Sequence, residues 1–200
     1  VCMAKPTAID LFCGGGGLSI GLMKAGFQVL FGVDNSEPAI TAYNLNLEHK
    51  CYDIDLSSQD SVERIKDHLD GKEIDLVAGG PPCQGFSSLG KKDDSDERNE
   101  LFNHFLRVVN ELKPRYFILE NVTALATSRV DDRKPPTRVK VIQQRFADIG
   151  YTDTKCSIVK SSEFGVPQIR RRIIFTGSRG GKVDFNLPEG IFEKEDFVTV

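Results

Sequence analysis

Seven short, β-rich apolar runs alternate along the chain with segments of helical period, and that alternation admits few folds. Successive strands separated by helix-length segments pair in parallel through crossovers, so the pattern implies an α/β fold with a mostly parallel sheet and helices on both faces. Strand-like runs lie at about 7 to 12, 28 to 33, 51 to 54, 74 to 79, 116 to 120, 153 to 159 and 172 to 177. Helical segments fill roughly 17 to 25, 37 to 47, 58 to 69, 99 to 112 and 137 to 149, the last with Val141, Ile142, Phe146 and Ile149 near helical spacing. The chain has 200 residues, 40% of them hydrophobic, which suits one well-buried core.

Cysteine usage and charge narrow the class further. The five cysteines, at 2, 13, 51, 83 and 156, are odd in number and show no Cys-x-x-Cys spacing, so neither a disulfide framework nor a metal site is expected. No apolar stretch approaches the roughly 20 residues of a membrane span, and "VCMAKPTAID" lacks the basic and apolar regions of a signal peptide. These features predict an intracellular protein with no membrane partner. A net charge of −3 argues against a strongly basic nucleic-acid surface but leaves room for local patches, and arginine crowds in "SRVDDRKPPTRVK" and "QIRRRIIF".

Three stretches carry candidate chemistry. "AIDLFCGGGGLSIGL" is a strand, four glycines and a helix start, which lets backbone approach a ligand at a strand-to-helix turn. No Lys-Ser or Lys-Thr follows the glycines, which lowers the odds of a nucleotide triphosphatase. Asp34 ends the second strand about 20 residues on, where an acidic side chain accepts hydrogen bonds from ribose hydroxyls. Capping of the next helix is the competing role, and the two can coexist. In "GGPPCQGFSSLG", Cys83 follows two prolines on a glycine-flanked turn, an odd place for a thiol that merely fills a core. The charged loops at 90 to 99 and 126 to 136 follow strands and read either as solvated connections or as covers for a substrate.

In this order and spacing, "DLFCGGGGLSIGL", "GGPPCQGFS", "ILENV" and "QIRRRIIF" resemble the successive motifs of the DNA (cytosine-5)-methyltransferase family, from about residue 8 to 178. The resemblance implies a Rossmann-like, S-adenosylmethionine-dependent enzyme on a seven-stranded sheet whose last strand is antiparallel. It implies methyl transfer to C5 of a cytosine flipped out of double-stranded DNA, with S-adenosylhomocysteine as product and no metal. Cys83 would add to C6 of the base, and Glu120 would meet N3. Arg172 would meet O2, and Arg170 would support the site and the adjacent phosphate. With Gln168 they would share one face of an extended segment, Arg171 pointing the other way. For Glu120, pairing with a nearby arginine is the competing role.

For the cofactor, Phe12, Gly14 and Gly16 match the glycine loop, Asp34 and Asn35 the ribose and adenine end, and Pro82 the wall beside the transferred methyl. Asp53 would contact the adenine amino group, with Asp55 as its rival, and Leu101 would pack on the adenine. Cys13 stands where the family often has a smaller residue, which puts an oxidisable thiol near the cofactor.

The family also carries a target-recognition region and a final Gly-Asn-containing motif, and neither follows "FTGSRGGKVDFNLPEG". Residues 1–180 are therefore read as the catalytic and cofactor-binding domain and 181–200 as the start of a connection, in a truncated or split enzyme whose recognition region a second chain could carry. The compartment would be the cytoplasm of a bacterium or the nucleus of a eukaryote. An RNA cytosine-5 methyltransferase and an inactive adenosyl-cofactor or DNA-binding module are the alternatives. A methyltransferase acting on exocyclic amino groups has no use for Cys83.

Overall fold

The computed structural model describes residues 4–82, 100–127, 129–131, 134–181 and 189–193. The elements run β1 (Thr7–Leu11), α1 (Gly17–Lys24), β2 (Gln28–Asp34), α2 (Glu37–Asn46), β3 (Cys51–Asp53), α3 (Ser61–Leu69), β4 (Leu76–Gly79) and α4 (Glu100–Leu112). They continue with β5 (Tyr116–Val122), α5 (Ala124–Thr127), β6 (Arg129–Asp131), β7 (Lys134–Thr137), α6 (Arg138–Asp148), β8 (Asp153–Lys160), a 3-10 turn (Ser161–Phe164) and β9 (Arg171–Ser178). Among the described residues a seven-stranded sheet has the order β3-β2-β1-β4-β5-β9-β8, with β6 and β7 as a separate ribbon. The pairs β1–β2, β1–β4, β2–β3 and β4–β5 are parallel, and β8–β9 is antiparallel. Strand order reverses between β1 and β4, the place where open α/β sheets bind ligands beyond the carboxyl ends of the strands.

The chain divides into two compact units, the first holding the described residues up to 119 and the second those from 120 onward. In the first, Ala8, Ile9, Leu11, Val33, Leu76, Val77 and Ala78 are all buried, as expected of parallel strands with both faces covered. Helix α3 buries Val62, Ile65 and Leu69, and α4 buries Phe105, Val108 and Val109, each set at helical spacing. At the amino ends of the strands the backbone N–H of Thr7 donates to Asp75 Oδ2 at 2.8 Å, and Thr7 Oγ1 accepts from the N–H of Asp75 at 3.1 Å. This exchange fixes the start of β1 against β4. A register shift between Ala8 and Ile9 inserts one extra residue on β2, so that Leu11 lies opposite Val33. Asp34 is thereby set beside the turn that leaves β1.

In the second unit, α6 buries Ile142 and Phe146, and β9 buries Ile173 and Phe175. The Phe146 and Tyr151 rings meet edge to face at 6.5 Å, and Gln143 Nε2 donates to Thr154 O at 2.8 Å, tying α6 to β8. The backbone N–H groups of Ile191 and Phe192 both donate to Glu163 O, which fastens residues 189–193 to the 3-10 turn.

Every strand and helix expected from the periodicity is present within three residues at each end, with three differences elsewhere. The stretch at 126 to 136, read as a loop, contains the ribbon of β6 and β7, paired Arg129↔Thr137 and Asp131↔Lys134. "KPPT" carries no strand signal because proline cannot donate to a ladder, and only the pairing makes it one. Strand β5 runs on to Val122, so Glu120 lies inside the strand rather than at its end. Strand β9 begins at Arg171, so Gln168 and Arg170 precede it. The loop at 90 to 99 and Cys83 lie outside the described residues.

Candidate cofactor and catalytic sites

In the first unit the carboxyl ends of β1 to β4 gather seven of the eight candidate cofactor residues. Phe12, Gly14 and Gly16 form the turn from β1 into α1, Asp34 ends β2 and Asn35 follows it, Asp53 ends β3, and Pro82 lies just beyond β4. Leu101 is half-buried in the first turn of α4. The turn is tight: Phe12, Gly14 and Gly16 have φ values of 55°, 53° and 90°, and Gly16 N–H donates to Cys13 O at 2.9 Å. A phenylalanine in the left-handed region costs about 1–3 kcal/mol, strain of the kind found at ligand sites. On the outer side of the loop a Cβ built on Gly14, Gly15 or Gly17 would have no atom within 4 Å, so its backbone is open to a ligand.

Asp34 does not take the helix-capping role weighed from the sequence: the N-cap of α2 is Ser36, and Asp34 instead orders the turn ahead of the helix. Its Oδ1 accepts from the N–H groups of Asn35 and Ser36 at the start of α2, and its Oδ2 accepts from Gly14 N–H, all at 2.9 Å. One carboxylate thus joins the loop after β1 to the loop after β2. Beside it, Asp53 pairs in register with Asp34, and its carboxylate makes no hydrogen bond among the described residues. Asp55 accepts from Ser57 N–H and Ser57 Oγ, which lowers its pKa and occupies it in a local turn. Of the two candidates, Asp53 is the one left able to accept from a ligand.

Under the glycine loop lies a buried chain that the sequence reading missed. Ser19 Oγ donates to Asp10 Oδ2 at 2.7 Å and lies 2.8 Å from Tyr43 Oη, and Asp10 is fully buried with Oδ1 unbonded. The Tyr43 ring packs beneath Gly16, where a Cβ would meet it at 3.0 Å. Burial pushes the Asp10 pKa up to about 7 from 3.8, partly opposed by the Ser19 hydrogen bond. The folded state then holds a proton that the unfolded state releases between those two values, so stability falls as pH rises from about 4 to 7. Asp10→Asn should flatten that slope and raise the melting temperature at pH 8. A thermal-unfolding series in which wild type and variant keep parallel slopes would contradict the assignment.

In the second unit Glu120 Oε1 lies 2.7 Å from Arg172 Nε, with both side chains partly exposed, so Glu120 does make the arginine pair that was weighed as its competing role. Arg172 Nη1 donates to Arg171 O at 2.8 Å. Glu120 Oε2 and Arg172 Nη2 are left without a hydrogen bond among the described residues. Beside Glu120, Asn121 is buried and its Oδ1 accepts from Val122 N–H. Arg170 is exposed and not on a shared strand face with Arg172: Gln168 N–H donates to Val166 O and Arg170 N–H to Gln168 O, in tight turns. Ser161 holds that turn, its Oγ donating to Gln168 O and accepting from Arg170 N–H, while its N–H donates to Arg170 O. Nothing in the linear pattern links Ser161 to residues 168–170. Among the described residues no three His, Cys, Asp or Glu side chains group to hold a metal ion, and no helix is long and apolar enough to cross a membrane.

Residues 7–199 match the family model for the C-5 cytosine-specific DNA methylases. The chain belongs to that family. It is 39% identical over 192 residues to the type II methyltransferase M1.HphI of Haemophilus parahaemolyticus, covering 94% of this chain and 50% of the relative. It is 40% identical over 184 residues to M.XorII of Xanthomonas oryzae pv. oryzae, covering 90% and 42% respectively. The crystal structure of a prophage-encoded DNA modification methyltransferase from E. coli superposes with a TM-score of 0.75 at 34% identity, covering 98% of this chain and 53% of that one. The chain thus spans about half the length of these relatives. The seven-stranded, mostly parallel sheet is the one the family resemblance implied, including its antiparallel β8–β9 pair.

Proposed function

We propose that the protein transfers a methyl group from S-adenosylmethionine to C5 of cytosine in double-stranded DNA, and that residues 1–180 are its catalytic and cofactor-binding part, with 181–200 beginning the connection to a recognition region. Membership of the family supports this reading, and the ion pair of Glu120 and Arg172 is the observation that carries it to a mechanism. The names of the relatives favour a bacterial type II modification enzyme working in the cytoplasm, with the recognition region further along the same polypeptide or on a second chain.

The cofactor residues fit an adenosyl group. An open glycine backbone suits close approach of the methionine part, Phe12 and Pro82 flank that end, and Asp34, Asn35, Asp53 and Leu101 serve the ribose and adenine. S-adenosylmethionine supplies an electrophilic methyl group. Cytosine C5 is a poor nucleophile until a thiolate adds at C6, the role assigned to Cys83. That addition pushes charge onto N3, where a carboxyl group of Glu120 stabilises it or supplies a proton. Arg172 holds Glu120 through Nε and offers Nη2 to the base O2, while exposed Arg170 serves the neighbouring phosphate. Extruding the base costs a few kcal/mol, a cost that the recognition region helps to meet.

Labelled methyl transfer by the full-length protein tests the reading. Incorporation into DNA but not into DNA fully substituted with 5-methylcytosine is expected, and label in RNA of the same sequence instead would favour the RNA alternative. Asp34→Ala removes three charge-assisted hydrogen bonds that order both loops, each contributing about 1.5–3 kcal/mol. Calorimetry should show S-adenosylmethionine affinity falling by at least about tenfold, and unchanged affinity would remove Asp34 from the site.

A further inference from the structure

Cys13 and Cys51 are reduced, buried and 3.3 Å apart at sulfur, although β2 lies between β1, which Cys13 follows, and β3, which carries Cys51. Glycine makes this possible. Cys13 N–H donates to Val33 O, which sets the thiol over β2 at Gly32, and Gly32 pairs in register with Cys51 on β3. A Cβ on Gly32 would stand 2.8 Å from Cys13 Sγ and 2.7 Å from the Tyr43 ring, so any side chain there would close the gap. The two thiols share one apolar cluster with Tyr43, Ile40 and Leu47. Cys51 is anchored on its own side, because its N–H donates to Asn44 Oδ1 at 2.8 Å. Cys13 sits on the glycine loop, between Phe12 and Gly14.

We propose that Cys13 and Cys51 are a site of reversible disulfide formation that draws the glycine loop toward β3 and weakens S-adenosylmethionine binding. The coupling rests on the reading of that loop as the cofactor site. A disulfide requires sulfurs about 2.05 Å apart, so the pair must close by roughly 1.2 Å from its 3.3 Å separation. Cys51 is held by sheet and helix, so the displacement falls on Cys13 and its neighbours. Gly14 N–H, one residue away, is bonded to Asp34, and the movement pulls on that bond.

The hydrogen bond between the two thiols lowers the pKa of Cys51 and, with burial, raises that of Cys13. Of the two, Cys51 is the more readily ionised, and in the proposed reaction it is the attacking thiolate. With a peroxide as oxidant its sulfur takes one oxygen to become a sulfenic acid, and hydroxide leaves. The Cys13 thiol then forms the S–S bond and expels that oxygen as water. A dithiol reductant reverses the reaction by exchange and is itself left as a disulfide.

The test uses the full-length protein with hydrogen peroxide and then dithiothreitol, read by peptide mass spectrometry after alkylation and by calorimetry with S-adenosylmethionine. The expected result is a Cys13–Cys51 linked peptide, a loss of affinity of roughly tenfold or more, as expected for losing one charge-assisted bond, and recovery of both on reduction. Cys51→Ala should bind like the reduced wild type and lose its sensitivity to oxidant. A wild type oxidised elsewhere with both thiols still free, or a mapped disulfide with unchanged affinity, overturns the proposal. If the reduced protein fails to bind S-adenosylmethionine, the cofactor reading and the coupling fall, while the mapped peptide still decides the pairing.

Discussion

Full-length protein carrying Cys83→Ser is expected to lose methyl transfer by a factor on the order of 10³ or more, because a hydroxyl at neutral pH is a far weaker nucleophile than a thiolate. Transfer through a C6 adduct leaves a proton on C5 that must depart before the thiolate can be eliminated. Fluorine at C5 cannot leave as a cation, so DNA containing 5-fluorocytosine should trap the wild-type protein in a complex that survives denaturation and requires S-adenosylmethionine. Mass spectrometry should place the adduct on the peptide of Cys83. Cys156→Ser should keep the adduct and Cys83→Ser should lose it. An adduct on a different cysteine, or full activity in Cys83→Ser, would sink the nucleophile assignment and return the inactive-module reading to the front.

The second large effect is expected at Arg172. Arg172→Ala removes the cation paired to Glu120 and the donor assigned to the base, and should lower kcat/KM by about 10²–10³, the range for losing one preorganised stabiliser of developing charge. Arg172→Lys keeps a charge but not the planar fork, so it should restore only part of the loss. Arg171→Ala should change activity by no more than a few-fold, since Arg171 is exposed and only its backbone oxygen meets Arg172. Equal losses at 171 and 172 would show that the pair with Glu120 is structural rather than catalytic.

The carboxyl-end positions of Phe12, Gly14, Asp34, Asp53 and Pro82 were legible because each follows a strand whose apolar run is visible in the sequence. Alternation along the strand separates Arg171 from Arg172, the first two residues of β9, but it does not reach back to Gln168 and Arg170. The strand begins only at Arg171, and Ser161 turns the chain ahead of it. Asp53 and Asp55 were not separable by pattern, since both follow β-rich residues with serines nearby; a turn made with Ser57 distinguishes them. The ribbon of β6 and β7 was hidden because two prolines in "KPPT" erase the usual strand preference.

What the sequence determined by itself is the order of strands and helices, the parallel class of the sheet and the motifs that place the chain in its family, because periodicity, turn chemistry and glycine runs are local properties of the chain. Tertiary structure alone decided which distant groups meet: Glu120 with Arg172, Asp34 with Gly14, Tyr43 with Ser19 and Asp10, and Cys13 with Cys51 across Gly32. Such meetings depend on strand order and register, where a slip of one residue sends a side chain to the opposite face. The extra residue on β2 is one such slip, and it sets Asp34 beside the glycine loop.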